Sequence, residues 1–532
     1  MMEVSDWFAP TRTVDTPAWI GEISDAAFAT RLRQFASSSQ TPNHILRTQY
    51  ASDHDLRTLA TMSSPVWPSP PHAKLLVEAA LQFMRHSYHI VRRSEVLSTL
   101  RLGSSGLVGS PTIGAKMWAL FALGELQSSK CPPGSSSTDF PGLAYFAIAS
   151  EAARMNNERP HLDTIETVLL LALYSLETNR RHAACTFVGT ALRLATIMGL
   201  HINISQAQLP DPELREHRIR VWWSTYILDR LLSSKIGLPL LISDEDILAD
   251  LPTGNPVLNA TDFGDHLHFL AVLRLAKIAG HISQSLYLRR PQRGTFLQQV
   301  EKIREELDQW RGQLPGHIKT EFDYAVDQNE CSRPATTALK LSYNQLLIVA
   351  TRPVLLFVFR HHIGENAMTE VSLPQQAQAI AETCAQSARE TLQLLSQSWI
   401  GGGFHNFNYS HVQYLFSAAV VLAIASTLDT SHDDGDQFLL AASFLGQLER
   451  NGNFAAMEFH SHVKETQRVL DQLRSASRLP AADHPQVLPT DIDGGTSAVL
   501  PADSHEFENV LPMDLSFLDD WIYENALEQL CW

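Results

Sequence analysis

Asp433, Asp434 and Asp436 crowd three carboxylates into four residues. Carboxylate oxygens converging from one helical face are what a magnesium ion requires, and a helical isoprenoid enzyme would supply them as Asp-Asp-x-x-Asp. Here the spacing is one residue short and a glycine interrupts it. Asp519-Asp520 with Glu524 is also off-spacing, and no second metal motif accompanies either group. His86 and His89 stand three apart and could share a helix face, but Arg92, Arg93 and Ser94 beside them are not further ligands. His361-His362 read as cations near the negative end of a helix. No Gly-x-Ser-x-Gly elbow occurs. Gly401-Gly402-Gly403 runs into Phe404 and His405 rather than Lys-Ser/Thr, so it is a loop and not a phosphate cradle. The five cysteines, at 131, 185, 331, 384 and 531, contain no Cys-x-x-Cys pair and suit a reducing compartment. The residues thus predict no catalytic group, no metal and no cofactor, and the chain reads as not an enzyme.

The elements that would position any site are helical. Leu297, Val300, Ile303, Leu307, Trp310 and Leu314 step by three and four until Pro315. Phe187, Ala191, Leu194, Ala195 and Met198 share one face, which Gly199 closes with a left-handed residue so that Leu200 folds back. Asp211, Pro212 and Glu213 form a helix start, followed by the apolar stripe Ile219, Trp222, Trp223, Tyr226, Ile227 and Leu231. No run alternates with the period of a strand, and no repeat recurs at a fixed period. The predicted fold is all-α: a large, irregular multi-helix body over 63–478. An N-terminal extension (1–62) precedes it, and a linker (479–500) and a flexible acidic tail (501–532) follow.

Hydrophobic residues make up 44% of the 532, enough for a sizeable core. Lys and Arg total 41 against 57 acidic residues, a formal charge of −16, so the chain as a whole does not attract phosphate. Its strongest basic clusters are single pairs: Arg31 with Arg33, Arg92-Arg93 and Arg289-Arg290. Neither a secretory signal nor a basic nuclear-localisation run is present. Tyr414 to Leu428 is uncharged, but at 15 residues it is short of the ~20 needed to span a bilayer and reads as a core helix.

Four blocks, in order, give the chain a resemblance. They are Thr164–Leu176 (TIETVLLLALYSL), Gly189–His201 (GTALRLATIMGLH), Arg218–Arg230 (RIRVWWSTYILDR) and Ser234–Pro252 (SKIGLPLLISDEDILADLP). Together they resemble the fungal-specific transcription factor domain, the middle homology region of zinc-binuclear-cluster factors. Weaker similarity extends over most of 20–450. The motif residues Gly199, His201, Arg220, Trp222, Trp223, Asp229, Gly237 and Pro239 are expected to be structural. Asp229 points toward the apolar face and needs a cation, for which Arg193 and Arg220 are candidates; the alternative is a polar anchor in an effector pocket. His201 would cap helix carbonyls. Members of the family carry six cysteines near the N-terminus that hold two zinc ions on DNA. No cysteine precedes Cys131 here. The expectation is therefore a chain without the zinc cluster, either shortened or acting through a partner, with DNA contact only through a further N-terminal segment.

The tail completes the reading. Eight acidic residues and no Lys or Arg lie in 501–532, interleaved with apolar and aromatic side chains. Carboxylate repulsion keeps such a segment soluble and leaves its aromatics to dock in a coactivator groove as a short amphipathic helix. Phe517, Leu518, Trp521 and Ile522 share one side of that helix and are the candidate coactivator-binding residues.

The whole implies a nuclear transcriptional regulator, an activator of a metabolic or secondary-metabolite pathway. Its partners would be a coactivator, a second copy or a zinc-cluster factor, and a small-molecule effector held between helices, with no membrane. The alternatives are a partner-dependent co-regulator or inhibitor without its own DNA binding and, distantly, an all-α magnesium-dependent isoprenoid enzyme.

Overall fold

The computed structural model describes residues 8–9, 18–37, 44–62, 66–85, 87–103, 111–129, 140–153, 158–254, 262, 264–287, 295–323, 333–364, 373–429 and 432–477. The helices among them are α1 (Asp25–Ala36), α2 (Asp53–Met62), α3 (Pro70–Met84), α4 (Arg93–Leu102), α5 (Pro111–Ser128), α6 (Leu143–Ala153), α7 (Leu162–Glu177), α8 (Arg181–Ile197), α9 (Pro212–Ile236), α10 (His266–Ile282), α11 (Phe296–Gly312), α12 (Gly316–Asp323), α13 (Pro334–Gly364), α14 (Gln375–Ile400), α15 (Tyr409–Leu428), α16 (Asp434–Arg450) and α17 (Phe454–Ser477). The fold is all-α, as the periodicity predicts. One antiparallel ladder of two residues, Phe8–Ala9 with Ala18–Trp19, is the only strand pairing among the described residues.

Side chains that satisfy free N–H groups set the helix starts. Asp211 accepts from the amides of Glu213 and Leu214, with Pro212 opening α9. Thr295 and Gln298 form a reciprocal capping box on α11. At the end of α8 Gly199 takes φ +67°, and the Leu200 amide bonds back to the Ala195 carbonyl at 2.9 Å. Within α13, Pro353 has no N–H to offer the carbonyl of Val349, and the Tyr287 hydroxyl donates to that oxygen instead, at 2.6 Å.

Successive helices pack on one another, α7 on α8, α13 on α14, α14 on α15 and α16 on α17. A large core runs from α1 to α17, and a second gathers around α10 to α13. Helix α15 is apolar all round because neighbours cover it on every side: Val412 through Ala425 are buried. It and α13 are long and apolar enough to cross a membrane, but most of each is buried against other helices.

The boundary expected at residue 62 is not where the core ends. Phe28, Ala29 and Leu32 of α1 are buried in the main core, and Asp25 pairs with Arg352 of α13 at 2.5 Å. A polar stretch thus supplies one amphipathic helix whose apolar face the body requires. The linker at 479–500 and the tail lie outside the described residues.

Candidate functional site

Between the helices lies a cavity of about 890 Å³. That volume is in the range of small-molecule sites, which are mostly apolar with a few placed polar groups. Side chains from α1, α3, α7, α9, α10, α13, α14 and α15 line it. Its apolar walls come chiefly from Leu228 and Leu232 of α9, Leu275 and Ala276 of α10, and Leu346 and Val349 of α13.

Several of the polar lining groups are linked to one another. Lys235, half-buried at the end of α9, donates to Gln413 Oε1, and its ammonium lies 5.0 Å from the ring centre of Tyr414 and 5.8 Å from that of Tyr409. Gln413 in turn donates to Asp25 Oδ2 at 2.6 Å. Asp25 pairs with Arg352 at 2.5 Å, so one amide joins Lys235 to a paired carboxylate. Glu177, at the end of α7, accepts from the Tyr409 amide at 2.7 Å. Burial pushes its carboxyl up to about 8, outweighing that hydrogen bond and the attraction of Lys235. Burial, and then the neighbouring His405, holds the His411 imidazole down at about 4, hence neutral. Gln345 gives its amide N–H groups to Asp25 and Ser417, at 3.4 and 3.2 Å. Its Oε1 is buried without a protein partner.

None of the motif residues lines this cavity; they fasten α9 to the segment that follows it. Arg220 donates to Glu216 at 2.6 Å, to His89 Nδ1 at 2.6 Å and to the Thr253 carbonyl at 3.2 Å. Glu216 also accepts from the Thr253 amide and hydroxyl, and His89 stacks on Phe269. Trp222 is fully buried, while Trp223 donates to the Asp250 carbonyl at 2.8 Å. Gly237 ends α9 at φ +84°, and a β-carbon there would come within 2.7 Å of the Gly21 Cα. Pro239, just beyond, is exposed.

Several expectations change. Asp229 pairs with Arg230 at 2.5 Å, not with Arg193 or Arg220, and lies away from the large cavity. Arg230 folds back to reach it, then continues to Asp244 at 2.8 Å, pinning the 3-10 turn Asp244–Asp246. Neighbours on a helix normally point apart, so spacing could not show this pair. The His201 ring packs on Trp222 and its Nδ1 is buried without a partner, while the His201 carbonyl accepts from Leu248. His89 follows α3 rather than lying on it, and accepts from Arg220 instead of facing a metal. Asp434 is fully buried and bidentate to Arg389, at 2.7 and 2.8 Å, so its oxygens are committed. Among the described residues no group of three or more His, Cys, Asp and Glu is placed to hold a metal. His86, Phe517, Leu518, Trp521 and Ile522 lie outside the described residues.

Comparison with known proteins converges with the motif blocks. Residues 82–312 match the family model described as fungal specific transcription factor domain. An uncharacterized transcriptional regulatory protein of Schizosaccharomyces pombe is 25% identical, over 79% of this chain and 53% of the relative. Transcription factor FBD3 of Fusarium pseudograminearum is 28% identical, over 49% of the chain and 38% of its own length. Transcriptional activator protein acu-15 of Neurospora crassa is 27% identical, over 42% and 25%. The chain thus spans about half the length of the first of these relatives and less of the others. Residues 82–312 are thus similar to the fungal specific transcription factor domain, and the relatives named are fungal transcriptional regulators.

Proposed function

We propose that the chain is a nuclear transcriptional activator of a metabolic or secondary-metabolite pathway. Its helical body senses a small effector in the central cavity, and its acidic tail recruits a coactivator. The observation that carries the sensing role is the cavity within the helical body, walled mostly by apolar side chains and furnished with a linked set of polar groups. The run of carboxylates and aromatics in 501–532 supports the activating role, as does the activator name of the Neurospora relative. No cysteine precedes Cys131, and the net charge is −16, so DNA is reached through a partner or a segment beyond this sequence. The body then also serves as the surface for pairing, with a second copy or with a zinc-cluster factor.

The test is tethering. The chain, with and without residues 501–532, is fused to an unrelated DNA-binding domain upstream of a reporter. Output that disappears with the tail supports the activator. Output from the isolated tail but not from the full chain means that the body masks it. Silence from both removes the activating role and favours the second reading, a partner-dependent co-regulator.

A further inference from the structure

The identity of the effector can be narrowed from the charges on the cavity wall. Lys235 has no carboxylate at ion-pair distance among the described residues; its partners are a neutral amide and two phenol rings. Asp25, a second carboxyl on the wall, is held by Arg352, Gln413 and Gln345. Glu177 is largely protonated at neutral pH, and His411 is neutral. Lys235 is thus the one Lys or Arg among the described lining residues, and it stands there without an acidic partner; an unpaired charge is costly where water is scarce. Gln345 Oε1 adds a buried acceptor that only a ligand or a water could serve. The rest of the lining is mostly apolar, Leu228, Leu232, Leu275, Ala276, Leu346 and Val349 among it, with His268, Gln127 and Ser398 as polar points.

We infer that the cavity binds an amphipathic carboxylate, its head group on Lys235 and its hydrocarbon body along α9, α10 and α13. A carboxylate suits the site better than a phosphate. One ammonium balances a single negative charge, whereas a phosphate dianion needs several donors or an arginine fork. A cationic amphipath is repelled, and a neutral alcohol leaves Lys235 unpaired. The inference rests on reading the cavity as an effector site.

The full chain is titrated by calorimetry with dodecanoate, dodecanol and dodecyltrimethylammonium, each below its micellar concentration. Dodecanoate is expected to bind about tenfold or more tighter than dodecanol, the usual worth of one charge-assisted contact. Lys235→Gln should bring it down to the level of the alcohol without changing the alcohol's affinity, with circular dichroism confirming an intact helical fold. Ala276→Phe, which fills the cavity, should weaken both. Equal binding of acid and alcohol by the wild type would overturn the carboxylate while leaving the effector cavity standing. Binding of dodecanoate that Ala276→Phe leaves intact, or no binding of any probe, would overturn both. The tethering assay depends on none of these ligands, so the role in transcription is judged separately.

Discussion

Glu177 and Lys235 line the same cavity and attract each other, yet they form no ion pair. Removal from water outweighs the attraction for the carboxyl, which is pushed up to about 8. An acid whose pKa is higher folded than unfolded binds protons more tightly in the native state. Its contribution to stability is full below the unfolded value, about 4.3, and is lost as pH rises through the folded one. Glu177→Gln keeps the shape of the protonated acid and removes this loss. The variant should match the wild type near pH 4 and be the more stable near pH 8. Urea unfolding midpoints across that range check it; parallel pH curves for the two proteins would show that Glu177 does not titrate in this way.

Gly237 is a position where conformation and crowding coincide. At φ +84° a side chain is strained, and a β-carbon would press on Gly21. Strain of this kind costs about 1–3 kcal/mol, and the contact adds to it because neither side is a movable side chain. Gly237→Ala should lower the unfolding midpoint clearly. The exposed control Gly312→Ala, where a β-carbon would meet nothing within 4 Å, should not lower it. A Gly237→Ala protein as stable as the control would contradict the close approach of the two backbone segments.

The helices and caps were legible because period and capping chemistry are local. Leu297, Val300, Ile303, Leu307, Trp310 and Leu314 are all buried where their steps place them, and Asp211 caps α9. The cavity was not legible. Leu228, Leu232 and Leu275 belong to apolar stripes, and a stripe reads the same whether it meets another side chain or an empty space. Lys235 gives no local sign either, since its isolation depends on Tyr409, Gln413 and Tyr414, nearly two hundred residues away. The Asp229–Arg230 pair escaped for the opposite reason: the partner was the adjacent residue, which helical geometry usually excludes.

The aspartate cluster yields a clear contrast between structural and metal roles. Asp434 is enclosed and held by both arms of Arg389. Asp434→Asn keeps the shape but removes the buried partner of the guanidinium and leaves it only the exposed Glu382, and breaking a buried pair costs about 3–5 kcal/mol. Unfolding should therefore shift to lower urea in the variant, while magnesium or a chelator shifts neither protein. A midpoint raised by magnesium in the wild type, and not in the variant, would instead make the cluster a metal site.

Lys116 gathers three carboxylates around one buried ammonium. It is 1% exposed and contacts Glu166 at 2.8 Å, Glu95 at 2.9 Å and Asp163, while His217 holds the other oxygen of Glu166 at 2.7 Å. One ammonium thus ties α4, α5 and α7 together, and the histidine adds α9. Burial alone would raise the Glu166 carboxyl, but Lys116 and His217 outweigh it and hold it at about 2. For an acid depressed on folding, the stabilisation is present above the unfolded value and is lost as pH falls toward the folded one. Wild-type stability should therefore decline between about pH 5 and pH 2. Lys116→Met retains most of the volume but strands Glu166 beside His217, for an expected loss of about 3–5 kcal/mol at neutral pH. The same change should flatten the acid limb, because Glu166 is no longer held ionised. Urea midpoints at pH 6 and pH 3 decide it: a variant that loses as much between them as the wild type would mean that the acid sensitivity lies elsewhere.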